Sequence, residues 1–385
     1  MIKYYYSIAL GVLLFSCSSE HSISSNGHYS LENYKEGDVV FNLDEYTSFH
    51  LRSIRYLYDQ SGEEFLYLLN DQNNSIYRYS LADSNYTHRV KFPIDGPLGV
   101  GQLNGFDIKG PDSLFLLARY DYKLSLVVNP LDSVRKVTVY KLIDSKADMD
   151  MTAYADTYAP MYLEGDTLNI LSVPFFYVQS KSYYEAGNCL VRLNLSDSAI
   201  SKVNLYSDLY RNRYTPYYAR ASTTKNKAGE VIISLPADPY LYRYDSHYNW
   251  IGKSLSVTPT VPEIKAFRGE FIMEEELIHM YQNTRYISIQ YDPFREVYYR
   301  IAELPNRQAL SKGDRKYYSL RSFAVIIYDK DLNIIGEQIL PPHYMIEMLF
   351  VGKRGLYLGQ PVGTSSGVDE NKVRFVCFQL TNKNE

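Results

Sequence analysis

Five stretches of this chain carry one signature, and together they leave few folds open. Residues 76–92 (IYRYSLADSNYTHRVKF), 124–140 (LSLVVNPLDSVRKVTVY), 190–206 (LVRLNLSDSAISKVNLY), 241–257 (LYRYDSHYNWIGKSLSV) and 325–340 (VIIYDKDLNIIGEQIL) each alternate apolar and polar residues, break at a turn, and resume the alternation. Successive side chains on a strand face opposite ways, so a two-residue period broken by Asp, Asn or Ser reads as a β-hairpin. Its recurrence marks a repeat architecture, in which units stack to bury faces that none could bury alone.

Ahead of each hairpin lies a second pair of strands. In the first copy, residues 51–58 lead through Gln60-Ser61-Gly62-Glu63 into 65–69, and in the second, 103–109 lead through Gly110-Pro111-Asp112 into 114–118. The third copy opens with 158–164 and 168–173, the fourth with 218–224 and 230–235, the fifth with 285–291 and 297–303. A sixth copy, 344–351, 355–360 and 373–380, lacks a fourth strand, and residues 38–43 (DVVFNL) are placed to fill the vacancy. The expected fold is all-β: a six-bladed β-propeller over 38–385, closed by pairing of this N-terminal strand with the C-terminal blade, which removes exposed sheet edges. Two insertions interrupt it. Residues 262–283 place Phe271, Ile272, Leu277, Ile278 and Tyr281 at mixed helical spacing and predict one or two short helices, while 305–321 are polar and basic and read as a long loop.

Composition narrows the functional classes. The 385 residues carry a formal net charge of -4, which gives no basic field for nucleic acid, so nucleic acid is excluded as a partner. Tyrosine stands out, with 40 Tyr against 16 Phe and 1 Trp. Tyr suits strands and half-exposed sites, because its ring buries while its hydroxyl stays hydrated. The His residues are scattered, no Cys pairs have zinc spacing, and no phosphate loop occurs, so neither metal nor cofactor is expected. Asp329, Asp331 and Asn333 imitate a calcium loop, but Ile334 and Leu340 stand where such a loop needs Gly and Glu, and a hairpin turn accounts for them. No Gly-x-Ser-x-Gly elbow is present and no catalytic residue is identified. Cys189 and Cys377, far apart in sequence, are read as buried free thiols.

The first residues supply an address. Lys3, an apolar run at 8–16 (IALGVLLFS) and then Cys17 make a secretory signal too short to span a bilayer as a helix. Leu14-Phe15-Ser16-Cys17 resembles a bacterial lipobox, which implies cleavage before Cys17 and acylation of its thiol. Residues 1–16 are thus read as a lipoprotein signal, Cys17 as the lipid attachment that partners the membrane, and 17–37, rich in Ser, Asn, His and Gly, as a flexible tether. Glu20 stands alone where surface-sorting signals have an acidic cluster, so the expected location is the outer membrane, facing the periplasm.

Candidate binding residues come from the ends of first strands, which surround the channel mouth in a propeller. The loop at 96–106 (GPLGVGQLNGF) has four glycines able to approach other backbone closely, and it contributes Gly101 and Asn104. Arg55, Arg220 and Arg285 are candidate anion or carboxylate contacts, and Tyr158 opens the third copy. The lipobox-like start, the Tyr content, this loop and the IIYDKDLN hairpin together resemble an uncharacterised family of Bacteroidetes lipoproteins carrying a domain of unknown function, similar to six-bladed propellers of the NHL type. The resemblance implies a fold and brings no catalytic residues. The expected function is an envelope-anchored, non-enzymatic propeller that binds a protein, peptide or glycan ligand; the alternative is an extracytoplasmic hydrolase or lyase acting on glycans or peptides.

Overall fold

The computed structural model describes residues 27–48, 51–110, 112–119, 122–129, 136–142, 151–174, 184, 187, 189–212, 219–261, 264–265, 267, 273–305, 321–364 and 367–383. The signal segment and Cys17 lie outside the described residues, as does nearly all of the 305–321 insertion. Within them the chain is built from antiparallel four-stranded meanders, in the order expected. Unit one comprises Ile54–Tyr58, Glu64–Asn70, Ser75–Ser80 and Tyr86–Lys91; unit two comprises Leu103–Gly110, Ser113–Ala118, Lys123–Val128 and Lys136–Lys141. Unit four runs through Ser222–Lys225, Val231–Ser234, Tyr240–Tyr244 and Trp250–Leu255. Units five (Arg285–Asp292, Val297–Glu303, Phe323–Tyr328, Ile334–Leu340) and six (Met345–Gly352, Gly355–Thr364, Gly367–Asn382) share one nine-stranded sheet. The 262–283 insertion carries the helix Met273–Gln282.

Apolar faces of neighbouring units pack on one another, so each core lies between sheets. Phe106 and Leu116 of unit two meet Leu69 and Ile76 of unit one; Phe115 and Leu117 meet Ile170 and Val191 of unit three. Units three, four and five share a further cluster, and units five and six another. The last unit also packs on the first, with Phe350, Phe375 and Tyr357 against Leu66, Leu68 and Tyr77.

The vacancy in unit six is filled as the sequence predicts, and from further upstream. Val39–Asn42 pairs antiparallel with the last strand, Val39 opposite Phe375 and Asn42 opposite Lys372. The expected tether, however, does not extend to residue 37. Tyr29–Asn33 is a strand, running from Tyr29 opposite Asn382 to Asn33 opposite Phe378, and Tyr29 also meets Gly336 of unit five in parallel. The cause is tertiary: the 16-residue last strand offers an open edge longer than 38–43 can cover, and Leu31, lost among polar neighbours in the sequence, is buried there. A side chain at Gly336 would come within 2.3 Å of the Tyr29 carbonyl, so this crossing requires glycine.

Many tyrosines prove to be staples between units rather than half-wet surface residues. Tyr154 donates to the Ala221 carbonyl (3.0 Å), Tyr162 to Thr223 (3.2 Å), Tyr286 to Ser256 (3.0 Å) and Tyr79 to Asn42 (3.0 Å). A phenol spans the gap between stacked sheets and reaches backbone that a Phe could not satisfy. Cys189 and Cys377 are buried free thiols, and burial pushes the Cys189 thiol up to about 12.

Candidate functional site at the convergence of the first strands

The first strand of unit three departs from the pattern. Instead of one run over 158–164, Met151–Ala153 and Tyr162–Glu164 pair with opposite ends of Thr167–Pro174: Ala153 faces Ser172 and Tyr162 faces Asn169. Residues 154–161 therefore bulge out opposite only residues 170–171. Asp156 holds the turn, accepting from the Tyr158 amide (3.0 Å), while the Ala159 amide donates to the Asp156 carbonyl (3.1 Å). The bulge is stitched to four other units. Thr157 donates from its amide and hydroxyl to the Arg52 carbonyl (both 2.9 Å), and the Met161 amide donates to Asp107 (2.7 Å). The Tyr158 carbonyl accepts from Ser222 Oγ (2.6 Å), and Gln290 reaches the Thr157 carbonyl (3.4 Å). Any side chain at Gly105 would lie 2.3 Å from the Ala155 carbonyl, which explains one glycine of the 96–106 loop: the bulge passes directly over it.

Two adjoining cavities open around this bulge. The smaller, about 280 Å³, is lined by Arg52, Asp156, Tyr158, Arg220, Arg285 and Glu347 with Tyr154, Tyr286 and the apolar Ala221, Pro236 and Ile287. The larger, about 680 Å³, shares Arg52, Tyr154, Asp156 and Arg220 and adds Asp71, Asn104 and Arg119. Several of these charges are already matched. Arg220 donates to Asp156 while its guanidinium lies 4.4 Å from the Tyr154 ring centroid, Arg119 pairs with Asp71 (2.7 Å), and Arg285 pairs with Glu303 (2.8 Å). Glu303 also binds Arg321 (2.9 Å), and Met280 of the inserted helix lies 3.3 Å from the Arg285 guanidinium. Arg52 and Glu347 are exposed, and among the described residues neither side chain has an ion pair or hydrogen bond. The Tyr158 hydroxyl and Asn104 Oδ1 are buried and equally without a partner among the described residues. Burial, then the nearby charges of Glu347 and Asp156, holds the Tyr158 phenol well above its ordinary value, so it remains a neutral donor without an acceptor.

With fold and site described, comparison with known proteins becomes informative. The model of a domain of unknown function, DUF4221, matches residues 28–339. The chain belongs to the DUF4221 family. A crystal structure of a DUF4221 member from Bacteroides vulgatus superposes with a TM-score of 0.77 at 21% identity, covering 93% of this chain and all (100%) of that one. A candidate exported protein of Bacteroides fragilis gives a TM-score of 0.57 at 12% identity over 94% of this chain and 98% of that one. At these identities both likenesses speak for the fold alone. No curated protein sequence matches this DUF4221 chain. No helix among the described residues is long and apolar enough to cross a membrane.

Of the residues singled out from sequence, Asn104, Tyr158, Arg220 and Arg285 line the two cavities. Arg55 and Gly101 do not. Arg55 is buried between units one and two, its Nε 3.0 Å from Asp107 and its guanidinium 5.7 Å from the Phe106 ring centroid. Gly101 is buried with a φ of 78°, its carbonyl accepting from Asn74 (3.0 Å), so it shapes the crossover between units. Sequence reasoning missed Arg52, Asp156 and Glu347. One signal was available: Arg52 and Arg220 occupy the same place, two residues before the first strands Ile54–Tyr58 and Ser222–Lys225. Asp156 could not be found this way, because it sits in a bulge that the repeat does not contain.

Proposed function

We propose that this DUF4221 chain is a six-bladed β-propeller, sealed by residues 29–42 along the last blade, that is anchored in the outer membrane through acylated Cys17 and binds a small peptide or glycan ligand without catalysis. One observation carries the binding reading: an exposed cation and an exposed carboxylate, neither paired among the described residues, line adjoining cavities at the convergence of the first strands. Both groups are available to a ligand of complementary charge. The remaining charges are locked in ion pairs, which suits a rigid receptor.

Chain direction supports an orientation. First strands start at the cavities, as Asn104 and Arg285 do. In an antiparallel meander the third strand runs the same way as the first, so Asn382, ending the third strand of the last blade, lies at the opposite face. Tyr29 pairs with Asn382, and its parallel contact with Gly336, early in a fourth strand, agrees. The N-terminal segment thus enters on the face away from the cavities, and an anchor at Cys17 points the site away from the membrane.

A hydrolase or lyase is the second reading, favoured by the convergence of Tyr158, Asp156 and Glu347 on one cavity. Calorimetric titration of the purified protein with short peptides and acidic oligosaccharides, with product analysis of the same mixtures, separates the two. Binding without turnover, weakened by Arg52→Gln, is expected; turnover abolished by Glu347→Gln would establish the enzyme instead. Mass analysis of the mature N-terminus tests the anchor, and an unmodified Cys17 would refute it.

A further inference from the structure

The smaller cavity has a charge pattern specific enough to name a ligand class. Arg220 pairs with Asp156, and Arg285 shares Glu303 with Arg321, so the exposed charges of this cavity with no ion pair among the described residues are Arg52 and Glu347, on the same wall system. They come from neighbouring units, Arg52 just before the first strand of unit one and Glu347 within Met345–Gly352 of unit six, and they line one cavity without pairing. Ala221, Pro236 and Ile287 provide an apolar wall.

We propose that this cavity takes a small zwitterion, an α-amino acid or a dipeptide, with its carboxylate on Arg52, its ammonium on Glu347, and its side chain on the apolar wall. This rests on the ligand-binding reading above and sharpens it. A simple carboxylate or phosphate would satisfy Arg52 and be repelled by Glu347; a polyamine would meet the reverse conflict. A neutral sugar would partly desolvate both ions and pair neither. A guanidinium that donates two parallel hydrogen bonds to one carboxylate forms a strong, oriented contact. The cavity, about 280 Å³, lies near the small end of the range of roughly 300–1,000 Å³ typical of ligand sites, and so suits one or two residues rather than an oligosaccharide. A longer peptide would run on across the shared wall into the larger cavity beside Asn104.

The test is calorimetry on the purified full-length protein with L-alanyl-L-alanine, its N-acetyl derivative, its C-terminal amide, and succinate. The dipeptide is expected to bind, and removal of either charge to weaken it by at least about tenfold. Glu347→Gln should erase the preference over the N-acetyl form, and Arg52→Gln the preference over the amide. Both side chains are exposed and unpaired, so neither substitution should move the melting temperature, which serves as the folding control. If N-acetyl-dipeptide or succinate binds as tightly as the dipeptide, the zwitterion inference fails while the binding reading stands. The same holds if no member of this panel binds but acidic oligosaccharides do. If neither this panel nor the peptides and oligosaccharides of the broader screen bind, both fail.

Discussion

Tyr286 and Tyr158 line the same cavity, yet they belong to regions built on opposite terms. Tyr286, on the unit four–five side, donates to the Ser256 carbonyl, and its ring is covered by the Arg300 guanidinium, 3.4 Å from the centroid. Arg300 itself is fully buried and donates to Ser234 Oγ (2.9 Å) and the carbonyls of Asp238 (2.7 Å) and Pro239 (3.3 Å). Tyr158, on the bulge of unit three, has a buried hydroxyl with nothing to bond. The first region uses its polar groups to hold two sheets together, while the second leaves a buried donor unmatched. The difference separates a polar group that maintains the fold from one that does not.

The comparison can be broken in order of effect. Removing the chain through Asn42 should do most, since it strips the last strand of its partner and removes the fully buried Phe41 from between units six and one; a chain beginning at Leu43 is expected to lose its cooperative thermal transition. An unchanged melting curve would show that the first and last units hold together without this strand. Next comes Arg300→Met, which leaves several carbonyls unsatisfied and should destabilise by about 3–5 kcal/mol in urea denaturation. Tyr286→Phe removes one matched hydrogen bond and should cost about 1 kcal/mol. Tyr158→Phe carries the opposite sign: it removes a buried donor without a partner, so stability should stay level or rise by up to about 1 kcal/mol. Destabilisation of Tyr158→Phe comparable to that of Tyr286→Phe would erase the distinction between the two regions.

The hairpins show how much of the fold was legible beforehand. Asp329 accepts from the amides of Asp331 (2.9 Å) and Asn333 (2.8 Å), with Leu332 at a φ of 66°; Asp245 does the same for His247 (2.9 Å) and Asn249 (2.8 Å), with Tyr248 at 64°. Both are turns that organise themselves, so the calcium-like spacing at 329–333 is accounted for by its own backbone. The site was legible in part. Arg220 and Arg285 stand at first-strand starts that the repeat locates, but Arg55, one residue into its strand, turns to Asp107 between units. A one-residue step along a strand changes the face, and strand boundaries are the least certain part of a sequence reading.

What the chain alone determined is whatever depends on near neighbours: the alternation that makes strands, the Asp and Asn turns that fold them into hairpins, and a last run of strands short of one partner. What only the tertiary structure decided depends on partners far away in sequence. The edge of the last strand orders Tyr29–Asn33, the gap between sheets turns tyrosines into staples, and five units meeting at one bulge set Asp156 beside Arg220 and leave Arg52 and Glu347 exposed. Local periodicity specifies which residues share a face of a strand. Which faces converge on a cavity is settled by how the sheets pack.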